Sequence, residues 1–347
     1  AFSNCSNLIN VNIKDTVKEI GDLAFADCKN LLNVYFAGNC PKFGNDVFKN
    51  VRITAYYPYN DSTWSLDKLQ GYGGNVTWLP WNPKTQNLEK RDLTQGRISI
   101  ERSSYIYDGT VKTPKVTIVD GSYMLSEGRD YTVTYSDNVN AGTATVIVNG
   151  TGTYGGNYKT SFTIQRAENQ IQAVDITLTT STKAKKVSLS VRANGNAALT
   201  YTSSNKSVKV DQNGMLTIPK NFVGEAAITI NAAETPGYKA ASSTITVLIR
   251  PTATSLVKLT NSGKGKLTVT WKKNKKVSGY KLQYSTDKTF KTGVKSVMVK
   301  KAATVKKILS KLKKGKKYYV RISTYKTCGK TKIYSSWSKA KTVKIRK

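Results

Sequence analysis

Histidine is absent from the 347 residues. That omission removes Ser-His and Cys-His nucleophile activation, imidazole proton shuttling and histidine metal ligation. Acids are scarce too: 21 Asp and Glu stand against 55 Lys and Arg, for a net charge of +34, so a mechanism built on paired carboxylates has few candidates. Four cysteines, Cys5, Cys28, Cys40 and Cys328, do not make a disulfide framework in a chain of this length. No apolar run approaches the ~20 residues of a membrane-spanning helix. Phosphate-binding loops, G-x-S-x-G elbows and Cys/His zinc spacings are missing. No catalytic residue, metal site or cofactor is therefore expected.

What is present favours strands and turns. Besides lysine, Thr, Ser, Val, Asn and Gly are the commonest residues, with 20 Tyr, and the length suits two to four domains of about 100–150 residues. Ala1 stands in mid-pattern with no initiator Met, so the chain is expected to be a C-terminal piece of a longer protein.

Ala1-Phe2-x-x-Cys5-x-x-Leu8 recurs 23 residues later as Ala24-Phe25-x-x-Cys28-x-x-Leu31, and a decayed copy places Phe48 another 23 residues on. Short alternating runs, Val11-Asn12-Ile13 and Val34-Tyr35-Phe36, supply one strand per copy. A period of 23 lies in the ~20–29 range of leucine-rich solenoids. With Val17-Lys18-Glu19-Ile20-Gly21 between copies, the pattern resembles the BspA-like leucine-rich repeats of bacterial surface proteins. Cys5 and Cys28 then occupy equivalent positions, either as a disulfide or metal pair or as a ladder of buried thiols. The aromatics that follow, Tyr56, Tyr57, Tyr59, Trp64, Tyr72, Trp78 and Trp81, read either as a sugar-stacking platform or as the core of the cap a solenoid needs over its last coil.

Asn82 to Asn87 is polar and reads as a linker. Beyond it the period becomes two, as in Tyr131, Val133 and Tyr135 or Ala144, Val146 and Val148, which predicts strands with one buried face. Tyr107-Asp108-Gly109, Gly128-Arg129-Asp130-Tyr131 and Gly142-Thr143-Ala144 resemble an immunoglobulin-like module of Gram-positive surface proteins. Tyr201-Thr202-Ser203-Ser204-Asn205 with Val208-Lys209-Val210-Asp211 resembles the bacterial immunoglobulin-like (intimin/invasin-type) signature. Leu267-Thr268-Val269-Thr270-Trp271, Tyr280 to Tyr284, and Leu312 with Tyr318 are similar to fibronectin type III, with Trp271 in the core and Tyr318 as the corner tyrosine. The expected architecture is mostly β: a short leucine-rich-repeat solenoid with its cap (1–82), then three β-sandwich modules in tandem (95–166, 167–250 and 251–347).

Charge is concentrated at one end. Residues 251–347 hold 27 Lys and 2 Arg against a single acid, Asp287. Lysine is a hydrated point charge, whereas arginine supplies the fork of bidentate recognition. The ratio fits diffuse attraction to polyanions or, alternatively, a coat for solubility. Lys311, Lys313, Lys314, Lys316 and Lys317 form the candidate polyanion-binding cluster. Cys328, near Lys326 and Lys330, lacks the usual histidine activator. Asp130 and Asp137 lack the dense oxygen spacing of a calcium loop.

Together the resemblances imply a secreted, non-catalytic protein of the Gram-positive cell surface. The expected function is adhesion or interaction, with the solenoid's concave face presented on a sandwich stalk. The expected partners are a host or bacterial surface protein or glycan, together with anionic wall polymers. No sequence-specific nucleic-acid contact and no transmembrane segment are expected. Two alternatives remain open: the accessory C-terminal region of a larger secreted glycosidase or protease, and a spacing scaffold with no ligand.

Overall fold

A computed structural model describes residues 1–346. The chain divides into two compact units, Ala1–Ala167 and Glu168–Lys347, nearly all of it strand and turn.

The first unit begins with the solenoid. Four parallel strands, Asn10–Ile13, Asn33–Phe36, Arg52–Pro58 and Asn75–Trp81, pair in that order. Asn10 faces Asn33 and Arg52 faces Asn75, each 23 residues apart, whereas Asn33 faces Thr54, 21 apart. The 23-residue period survives at the turns. Phe2, Phe25 and Phe48 stack with centroids 5.8 Å apart at each step. Asn4, Asp27 and Asn50 all adopt φ of +58°, a left-handed turn that these short polar side chains tolerate. Asn50 Nδ2 donates to Asp27 Oδ1 at 2.9 Å, one coil back. Gly38 is required where coils meet, because a Cβ there would lie 2.5 Å from Asp15 Cα.

Cys28 is buried and its Sγ donates to Phe2 O, while Cys5 is half-buried; both are free thiols. The buried-thiol reading of this pair is the one the structure supports. The aromatics divide. Tyr57 and Trp64 lie in the core, and Tyr72 and Trp78 pack against it, as a cap requires. Tyr56 instead sits on the open face of the sheet, and residues 75–81 form a fourth strand that the sequence pattern does not announce.

The segment Asn82–Asn87 is an ordered turn, with Asn82 Oδ1 accepting from the amides of Lys84 and Thr85. The first sandwich packs its three-stranded sheet, containing Arg97–Ile100 and Val116–Asp120, against a four-stranded sheet built on Tyr131–Ser136, Gly142–Gly150 and Asn157–Gln165. Val116, Ile118, Val146, Val148, Phe162 and Ile164 fill the space between.

Two further sandwiches make up the second unit. One pairs a four-stranded sheet, including Gly224–Ala232 and Ala241–Arg250, with a three-stranded one; its core runs from Leu189 to Ile249. In the other, Leu256–Gly263, Lys266–Trp271 and Lys306–Leu309 face a five-stranded sheet centred on Gly279–Ser285 and Lys317–Cys328. Trp271 packs edge-on to Tyr280 in that core. The hydroxyl of Tyr318 accepts from the amide of Lys313 at 3.1 Å, the upstream backbone contact that defines a tyrosine corner.

Candidate functional site: the solenoid face and the basic end

The open face of the solenoid sheet follows from strand alternation. Val34 and Phe36 point into the core, so Asn33 and Tyr35 point out. Register then aligns two rows: Asn10, Asn33, Thr54 and Thr77; and Asn12, Tyr35, Tyr56 and Leu79. Asn33 Nδ2 donates to Asn10 Oδ1. The rings of Tyr35 and Tyr56 stack at 4.5 Å, and Trp81 leans on Tyr35 at 5.1 Å. Burial, and secondarily Tyr35, pushes the Tyr56 phenol upward. One face thus carries an amide row beside an aromatic row.

The junction to the first sandwich contains a group that sequence reasoning missed. Arg91 and Asp120 are both 2% exposed and form a bidentate ion pair, Nη2 to Oδ1 at 2.8 Å and Nε to Oδ2 at 2.5 Å. Tyr57, from the solenoid, lies beneath the guanidinium at 5.5 Å, and the Tyr154 hydroxyl donates to Asp120. Burial raises the Tyr57 and Tyr154 phenols, so both stay protonated. The pair is separated by 29 residues, and no local spacing signals it.

At the far end of the chain, Lys311, Lys313, Lys314, Lys316 and Lys317 are all exposed, on and beside the turn leading into Lys317–Cys328. Lys317 lies opposite Lys344 in the ladder, and Leu312 N donates to Gly265 O in the hairpin that holds Lys264 and Lys266. Three segments remote in sequence therefore bring lysines to one end of the sandwich. The sole acid of the module, Asp287, is turned inward on its own loop: it accepts from the amides of Thr289, Lys291 and Thr292. Those amides hold its carboxyl well below the usual carboxylate range. Among the described residues, no lysine or arginine from 251 onward joins an ion pair. Arg321 is held otherwise, between the rings of Phe290 and Trp337 at 4.1 and 4.6 Å.

The remaining candidates stay apart. Asp130 and Asp137 flank opposite ends of the strand Tyr131–Ser136, and Asp130 is engaged by Arg129. Cys328 Sγ donates to Val223 O, and burial raises its thiol. Burial pushes Cys40 up to about 11, so neither is a ready nucleophile. Among the described residues, no three His, Cys, Asp or Glu side chains gather as metal ligands, and no helix is long and apolar enough to cross a membrane.

Comparison with known proteins agrees with this geometry at both ends. Residues 1–63 match the BspA type Leucine rich repeat region in six copies, and residues 251–341 match the Fibronectin type III domain. No curated protein matches the chain. Among solved structures, domains A168-A170 from titin cover 72% of this chain and 99% of their own at 9% identity and a TM-score of 0.30. The FN1-FN3 domains of chicken CNTN1 cover 73% and 99% at 14% identity and 0.27. The fn3 domain of human contactin 1 covers 28% and 80% at 17% identity and 0.23. Repeats and modules of the two matched kinds are generally non-catalytic protein-interaction modules, typical of extracellular proteins. The class defined here is thus a multimodular β interaction protein.

Proposed function

We propose that this chain is a non-catalytic adhesion or interaction protein acting outside a Gram-positive cell. Its solenoid is the presenting end, and the sandwich modules, divided near residues 95–166, 167–250 and 251–347, are the stalk. The partner of the solenoid is a surface protein or glycan. The last module holds the protein on anionic polymers such as wall phosphodiesters or sulfated glycans. One observation carries this reading: among the described residues, the lysines of the last module are exposed, Lys281 and Lys326 excepted, and have no acidic partners, so their field is free to act on something outside the chain. A coat of this density repels itself and lowers the module's own stability, a cost that retention on a polyanion offsets.

The experiment is sedimentation of the chain with purified wall polymer across a salt series. Retention should fall steeply between ~50 and ~200 mM salt, because each neutralised phosphate releases condensed counterions. Replacing Lys311, Lys313, Lys314, Lys316 and Lys317 by Gln should flatten that slope. Retention indifferent to salt would contradict the reading.

A further inference from the structure

A groove of about 650 Å³ crosses the turns that follow the solenoid strands, a volume typical of small-ligand sites at ~300–1,000 Å³. Asp15 comes from the turn after the first strand, Asn39 after the second, Tyr59 and Asn60 after the third and Asn82 after the fourth, with Gln95 at one side. It lies at the strand ends, and neither Tyr35 nor Tyr56 lines it.

The groove carries little charge. Its lining holds two carboxylates, Asp15 and Asp61, and one lysine, Lys84. Asp61 is already engaged, accepting from the amide and hydroxyl of Thr63. The side chains of Asp15, Asn39, Tyr59, Asn60 and Gln95 make no hydrogen bond among the described residues. They offer amide donors and acceptors, one carboxylate acceptor, a phenol and a ring face.

The backbone beneath them is fixed. Trp64 Nε1 donates to Gly38 O at 2.9 Å, Tyr59 N donates to Trp81 O, and Asp92 N donates to Tyr59 O. A site with a rigid floor loses little freedom on binding. An anion would meet the carboxylate of Asp15, and an apolar ligand would leave the amides unpaired at a cost. A ligand rich in hydroxyls and poor in charge satisfies both conditions. We propose that this groove binds a neutral oligosaccharide, with Tyr59 as the ring on which a sugar packs and the amides pairing with its hydroxyls. The assignment rests on the solenoid being the presenting end and gives that end a ligand class.

The test uses the whole chain against immobilised neutral tetrasaccharides, cello-, malto-, manno- and N-acetylchitotetraose, in 1 M NaCl. There the screening length is about 3 Å and the lysine field is suppressed. At least one should bind. Tyr59→Ala and Asn60→Ala should each weaken it about tenfold, as the loss of one good contact does, while Tyr59→Phe retains most of the binding and the melting temperature holds in all three. The glutamine variant of the five lysines should bind unchanged. Absence of binding to the whole panel, or binding that survives Tyr59→Ala and Asn60→Ala but is lost in Tyr35→Ala, overturns the groove. Salt-sensitive retention on wall polymer alongside such a failure leaves the reading of the last module standing.

Discussion

Single residues in the coil turns carry their own strain ledger. The left-handed positions repeat at 23-residue spacing, and one of them breaks the chemical rule. Asp46 holds φ of +52°, and its equivalent one coil earlier is Leu23 at +53°. A leucine there sets its Cβ against the neighbouring carbonyl at ~1–2 kcal/mol, and its side chain is 45% exposed, so little packing offsets the strain. Leu23→Asn should raise the melting temperature by a few degrees in a thermal scan; a decrease would mean that leucine packs more than its exposure implies. Asp287 gives a pH-dependent case. Its folded value lies below the ordinary ~4 of a free aspartate, so its contribution is complete above that pH and is lost only as pH falls through the lower folded value. Asp287→Asn should therefore melt earlier at pH 7, with the gap closing in strongly acidic buffer.

Between elements, the contacts that matter lie where coils and modules touch. Gly38→Ala would press a methyl group onto the backbone of Asp15. Backbone cannot give way as a side chain can, so loss of the cooperative melt of residues 1–167 is expected by circular dichroism. The ion pair of Arg91 and Asp120 is fully desolvated, and removing one partner strands a buried charge at about 3–5 kcal/mol. Asp120→Asn should destabilise the first unit by that order in urea unfolding, and Arg91→Met with Asp120→Leu should recover much of the loss. Recovery would show that the cost comes from isolated charge rather than from lost shape. These contacts also mark where the sequence was legible. The 23-residue recurrence of Phe2, Phe25 and Phe48, and the alternation around Tyr131 and Val146, announce solenoid and sandwich because core contacts within one element follow a fixed period. The Arg91 pair and the strand Asn75–Trp81 were hidden: the first joins residues 29 apart with no periodic relation, and the second carries Trp78 and Pro80 opposite Ala55 and Tyr57 of the coil before. The groove was equally silent. Its residues are ordinary turn formers, and only the stacking of coils places Asp15 beside Asn39 and Tyr59.

For the molecule as a whole, charge and the lack of histidine act together. With no imidazole to titrate, the net charge is nearly constant across the physiological range, so attraction to polyanions should respond to ionic strength and hardly at all between pH 5.5 and 7.5. A sedimentation series at fixed salt checks this. The cluster at Lys311–Lys317 was readable as composition, while its union with Lys264, Lys266 and Lys344 was not, since only the sandwich brings those turns to one end. The lack of acidic partners for those lysines has a thermodynamic corollary. Each ammonium group meets its phosphate or sulfate without first breaking an internal ion pair, and the gain comes from small ions set free into solution. Calorimetry of the complex should consequently register little heat: an association driven by disorder in the surrounding electrolyte.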